Sequence, residues 1–98
     1  MVILDRAAIA DLCRLFGVRR LAVFGSAVTA RFDPDHSDVD FLVEFADTTP
    51  RTLSHFFEFG DALEALVGRP VDLVEAGSLR NPFVMESIEA SKEELYAA

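Results

Sequence analysis

Two short clusters carry the residues most able to do chemistry. Gly25-Ser26 closes one apolar run, and Asp38-Val39-Asp40 opens the next. Glycine lets a backbone come close to a phosphate. A serine hydroxyl and the free N–H groups at a helix start can then bind its oxygens. Two aspartates two apart on a strand leave the same face, and they repel each other unless a cation sits between them. Carboxylate oxygens suit Mg²⁺, which completes its shell with waters and substrate phosphates. Together the clusters point to chemistry on a nucleoside triphosphate. Taken singly each has a plainer reading: Ser26 as the N-cap of an ordinary turn, Asp38 as a turn cap, Asp40 as a solvated strand-edge residue.

Asp72 changes that balance. It stands in Pro70-Val71-Asp72-Leu73-Val74, flanked by apolar residues on a predicted buried strand, where an unpaired carboxylate is costly. If this strand neighbours the Asp38 strand, Asp72 becomes a third carboxylate on the same face. There it could ligate a second metal or take a proton from an attacking hydroxyl. The plain reading is an edge-strand aspartate facing water. Glu44 and Glu75 read as surface charges, and His36 and His55 are given no role.

The elements that must position these groups follow from periodicity. Asp5 can N-cap a helix whose face is Ile9, Leu12, Cys13 and Phe16, with Gly17 as its C-terminal stop. Leu21–Phe24 is a strand, 26–32 a short helix or turn, and 33–37 a loop around Pro34. Val39, Phe41, Val43 and Phe45 alternate with Asp38, Asp40, Leu42 and Glu44, giving a strand with one apolar face and one acidic end. Leu53, Phe56, Phe57, Gly60, Leu63 and Val67 mark a long helix closed by Gly68. On that phase Phe59 falls off the apolar face and is available to a partner. Pro70 opens a third strand, Val71–Val74. Asn81-Pro82 starts a last helix through Val84, Met85, Ile88 and Leu95. Strands alternating with helices predict one α/β (α+β) domain over residues 1–98, a small mixed β-sheet flanked by helices. The sheet is mixed because the second connection is too short for a parallel crossover.

The charge narrows the function. Seventeen acidic and nine basic residues give −8, a surface that repels a phosphate backbone, so direct nucleic-acid binding is not expected. A metal-dependent enzyme is compatible, because bound cations reverse the local field. The single cysteine excludes an internal disulfide and a cysteine zinc cluster. With no signal peptide and no membrane-spanning apolar run, the expectation is a cytoplasmic protein. The hydrophobic fraction of 51% leaves two readings open, a well-filled core or apolar surface that faces a partner or a second copy.

Gly25-Ser26, then Asp38-x-Asp40, then a later strand Asp72, resembles the DNA polymerase beta-like nucleotidyltransferases. Ser37-Asp38-Val39-Asp40-Phe41-Leu42-Val43-Glu44-Phe45 and Arg69-Pro70-Val71-Asp72-Leu73-Val74, followed by Arg80-Asn81-Pro82, resemble more narrowly the minimal nucleotidyltransferases. The resemblance implies that fold and in-line attack on the α-phosphorus of a nucleoside triphosphate. Gly25 and Ser26 would hold the triphosphate, and Asp38 and Asp40 would bind two Mg²⁺ ions. Asp72 would complete the metal site and help deprotonate the acceptor hydroxyl. It also implies ATP as substrate and a HEPN-domain toxin as partner, with transfer of AMP to a tyrosine on that toxin, so that the chain is an antitoxin. The chain departs from the family where an Arg and a second Gly often follow Gly-Ser. Here Ala27-Val28-Thr29-Ala30 stands, with Arg31 the first basic residue. That departure supports an alternative, a catalytically weak antitoxin that neutralises a toxin by direct complex formation.

Overall fold

The computed structural model describes residues 4–25, 38–50, 52–78 and 81–98. Among these the order is α1 (Arg6–Phe16), β1 (Val18–Phe24), β2 (Val39–Phe45), α2 (Leu53–Val67), β3 (Val71–Glu75), a 3₁₀ turn (Ala76–Ser78), α3 (Pro82–Ser91) and β4 (Glu93–Ala97). The strands form one sheet in the order β3-β2-β1-β4. β1 pairs antiparallel with β2 and β4, while β2 pairs parallel with β3. The mixed sheet anticipated from the connection lengths is therefore present, and α2 is the crossover that the parallel pair requires. The expected elements at 26–32 and 33–37 lie outside the described residues.

Local chemistry accounts for the helix ends. Asp5 accepts a hydrogen bond from the Ala8 N–H at 3.1 Å, and Gly17 ends α1 in the left-handed conformation. Two of the carbonyls left over at that end are satisfied from elsewhere. Thr49 Oγ1 donates to the Gly17 carbonyl at 2.7 Å, and His55 Nε2 donates to the Phe16 carbonyl at 2.6 Å. His55, given no role from the sequence, is thus a brace between α1 and α2, packed against the rings of Phe16 and Phe45.

Strand β2 divides the molecule. Val39, Phe41, Val43 and Phe45 are buried, and they meet Ile9 and Cys13 of α1, Leu21 and Val23 of β1, and Phe59 and Leu63 of α2 in one core. Asp40, Leu42 and Glu44 face the other way. Burial pushes the Cys13 thiol up to about 12, so it is a core filler and not a nucleophile.

Two expectations are corrected. The last helix does not run to Leu95: it stops at Ser91, Lys92 is extended, and Glu93–Ala97 is a fourth strand. Leu95 follows Ile88 at a spacing that also suits a helix. Pairing with the free edge of β1 decides the outcome, and Arg6 reinforces it by bonding the Glu94 carbonyl at 3.1 Å and the Glu93 carboxylate at 2.7 Å. The second correction concerns α2. Phe59 is fully buried and Phe57 is 60% exposed, the reverse of the expected phase. The run Phe56-Phe57-x-Phe59 supports either phase. Gly60, on the apolar face in both, stands against Leu73 of β3, where an added Cβ would be 3.7 Å from Leu73 Cδ2.

Phe59 touches Phe16 and Phe45 at ring-centroid distances of 5.3 and 5.9 Å. Phe59→Ala is expected to lower unfolding free energy by about 3–5 kcal/mol, while Phe57→Ala costs less than about 1 kcal/mol. Urea denaturation of the two variants checks the assignment, and equal losses would contradict it.

Candidate active site

The three aspartates are brought to one end of the parallel strand pair. Asp40 is the register partner of Asp72 across β2 and β3, so the two side chains leave the same face of the sheet. Asp38 precedes β2 by one residue and lies two positions before Asp40. Val39, between them, is fully buried and donates its N–H to the Pro70 carbonyl at 3.0 Å, which locks the head of β2 to the approach of β3. The apolar residues of β2 thus fix where its acidic residues stand.

Asp72 is exposed, and β3 is a sheet edge, so the expectation of a buried strand is not met. What that expectation was used for, the proximity of Asp72 to Asp40, is present in the register. Asp40 is half-buried and Asp38 exposed. Burial first, and then the negative charges of Asp72 and Asp38, push the Asp40 carboxyl above its ordinary value of 3.8. A carboxylate so placed gains from a nearby cation.

Gly25 completes the described part of the site. It follows β1 with φ +72°, and a Cβ at that position would stand 2.6 Å from Asp40 Oδ2. Only glycine allows both the turn and this approach. Its N–H donates to Ser91 Oγ at 3.4 Å, and that hydroxyl donates in turn to the Ser87 carbonyl at 3.2 Å. Gly25 therefore shapes the turn and backs Asp40, while its own N–H is directed to the end of α3. Ser91 had no signal in the sequence beyond being a serine near a helix end. Ser26, Arg31 and His36 lie outside the described residues.

Among the described residues no three His, Cys, Asp or Glu side chains are gathered as a ready-made metal cage. The donor set still fits Mg²⁺, which is usually held by one or two carboxylates together with substrate phosphates.

Comparison with known proteins decides the family. Residues 6–95 match the nucleotidyltransferase domain. The chain belongs to the nucleotidyltransferase family. Within it, this nucleotidyltransferase is 45% identical over 71 residues to protein adenylyltransferase MntA of Thermococcus cleftensis, covering 72% of this chain and 69% of that one. It is 43% identical over 74 residues to MJ0128 of Methanocaldococcus jannaschii, whose name places it provisionally among the protein adenylyltransferases; the match covers 76% and 72% of the two chains. A solved structure described provisionally as a minimal nucleotidyltransferase superposes with a TM-score of 0.73 at 35% identity, covering 90% of this chain and 86% of that one. The fold also matches a toxin–antitoxin structure with AMP-PNP, at a TM-score of 0.75 and 23% identity, covering 97% and 75%. A tri-AMPylated Shewanella oneidensis HEPN toxin in complex with its MNT antitoxin gives 0.65 and 22%, covering 95% and 70%. The four-stranded mixed sheet is thus the fold of the minimal nucleotidyltransferases.

Two outcomes follow from the geometry. Because the Asp40 carboxyl holds its proton more tightly folded than unfolded, it favours folding only while protonated. That contribution is complete below about 3.8 and is lost as pH rises through the raised folded value. In metal-free buffer, Asp40→Asn is therefore expected to be more stable than wild type at pH 7, with the gain fading as pH falls through the raised folded value and gone below about 3.8; urea midpoints across that range test it. Gly25→Ala is expected to lose at least about 1–2 kcal/mol from the left-handed backbone alone. Should it unfold at the wild-type midpoint, the close approach to Asp40 is absent.

Proposed function

We propose that this nucleotidyltransferase is a Mg²⁺-dependent protein adenylyltransferase that transfers AMP from ATP to a tyrosine hydroxyl of a HEPN-domain toxin, and so acts as the antitoxin. The observation that carries the reading is the register of Asp40 with Asp72, with Asp38 two residues away on the same strand head. The names of the archaeal relatives, protein adenylyltransferase, support the reaction class. The complex of an AMPylated HEPN toxin with an MNT antitoxin, which shares the fold, supports the partner class.

In this reading Asp38 and Asp40 hold the metal, with Asp72 completing the site. Bound Mg²⁺ would supply positive charge for the entering and leaving oxygens of an in-line displacement. Gly25, with the neighbouring Ser26, positions the triphosphate. The acceptor oxygen forms a bond to the α-phosphorus as the bond from that phosphorus to the bridging β-phosphate oxygen breaks. Pyrophosphate leaves, and Asp72 receives the hydroxyl proton. The exposed side of Asp72 suits that role, because an acceptor carried by another protein must reach it from solvent.

A second reading has its own observation. Phe83, Val84 and Met85 open α3 and are 80%, 43% and 45% exposed, an apolar patch of the kind that marks a protein contact. A weakly catalytic antitoxin could act through such a contact alone. Incubation with labelled ATP, Mg²⁺ and a HEPN-domain toxin separates the two. Label on the partner, abolished in the Asp38→Ala/Asp40→Ala protein together with neutralisation of the toxin, is the expected result. If that double variant neutralises the toxin fully, binding alone suffices and the enzymatic reading falls.

A further inference from the structure

A cavity of about 430 Å³ lies on the sheet face opposite the core, with Ala22 of β1 and Leu42 of β2 in its lining. Those two are register partners, one step along the same face from the Phe24–Asp40 pair. The cavity therefore begins about 7 Å from Asp40 along β2. Its remaining lining comes from Glu44 and Arg20 further along the strands, from Ala76 after β3, and from Glu89, Lys92 and Glu94 at the end of α3 and the start of β4.

Resting on the function proposed above, we infer that this cavity receives the acceptor: a phenol ring against Ala22 and Leu42, its hydroxyl directed at the Asp40–Asp72 end, presented by a segment with basic flanks. In-line displacement places the entering oxygen opposite the leaving pyrophosphate. The leaving group belongs on the Gly25 side, where β1 ends beyond Asp40, and the cavity extends from Asp40 in the other direction. Its lining also disfavours the alternative occupant. Glu44 is paired with Arg19 at 3.7 Å and Glu89 with Lys92 at 2.9 Å, which leaves Glu94 and, at the near end, Asp40 against Arg20, so a phosphate-bearing ligand is disfavoured and a basic segment is favoured. The apolar floor suits a ring with a polar tip, the build of tyrosine. Serine or threonine would leave Leu42 uncovered.

The test uses the full chain with a HEPN-domain toxin as acceptor and AMP-PNP as nucleotide probe. Leu42→Trp fills the floor, and Glu94→Lys reverses a charge on an exposed residue that the fold does not depend on. For Leu42→Trp, kcat/KM toward the acceptor is expected to fall at least about tenfold. For Glu94→Lys the fall is about three- to tenfold at low salt and shrinks as salt rises. AMP-PNP affinity stays within about twofold of wild type in both, as expected for sites that do not overlap. Weakened AMP-PNP binding would assign the cavity to the nucleoside and overturn the inference while leaving the enzyme reading standing. Unchanged acceptor kinetics in Glu94→Lys and Leu42→Trp would overturn it as well. A wild-type protein that neither binds AMP-PNP nor labels the partner removes the function itself, and the inference with it.

Discussion

Asp40 faces Asp72 across a parallel pair of strands, and each negative charge raises the cost of the other. No local sequence preference would place them so. A parallel pair needs a long crossover, and the crossover is α2, whose Phe59 and Leu63 are fully buried against the sheet. The repulsion at the head of β2 is therefore offset by apolar burial along its length. Val39, Phe41 and Val43 are all at zero exposure, and each buried side chain of that size contributes about 1.5–3 kcal/mol. The core on one face holds the carboxylates on the other.

The same alternation explains how so short a chain keeps chemistry and packing apart. Odd positions of β2 enter the core while even positions carry Asp40, Leu42 and Glu44 to the open face. β1 repeats the arrangement with Leu21 and Val23 inside and Ala22 outside, the latter opposite Leu42. Slipping either strand by one residue would exchange the faces completely. Gly25 adds a steric constraint at the end of β1, because Asp40 Oδ2 occupies the space a side chain would need. The link from Gly25 to Ser91 then ties this turn to α3, so the C-terminal helix and strand have a bearing on the site although they contribute none of its carboxylates.

What the sequence made legible were the features decided locally. Asp5, Gly17, Gly68 and Asn81-Pro82 end or start helices by their own backbone chemistry, and each does so where expected. The apolar alternation of β2 and the mixed sheet were legible for the same reason. Ambiguity entered where two phases or two long-range pairings competed. Phe56, Phe57 and Phe59 admit two helical faces, and only the packing of Phe59 against Phe16 and Phe45 selects one. Leu95 suits a helix or a strand, and the open edge of β1 selects the strand. His55 and Ser91 act through hydrogen bonds to residues 39 and 66 positions away, a separation that composition and periodicity do not encode. For the candidate site, the proximity of Asp72 to Asp40 could be anticipated as a condition, and the edge position of β3 could not.

That edge position bears on how the site can work. A buried Asp72 would stiffen the charge cluster further and close it to a macromolecular acceptor. An exposed one, on a strand with its outer side free of the sheet, leaves the approach open while the register still sets its distance from Asp40. Water also screens its charge, so the rise in the Asp40 carboxyl owes more to burial than to Asp72. In the proposed mechanism the arrangement divides the work between the carboxylates. Asp40, half-buried and backed by Gly25, is the member held rigidly, and it gains most from a cation. Asp72, exposed at the sheet edge, is the member to which that mechanism gives the hydroxyl proton. A preformed three-carboxylate cage would bind metal without substrate. Two carboxylates on one strand head, with a third across the register, instead leave positions for phosphate oxygens. In the proposed reading, metal and nucleotide then bind best together.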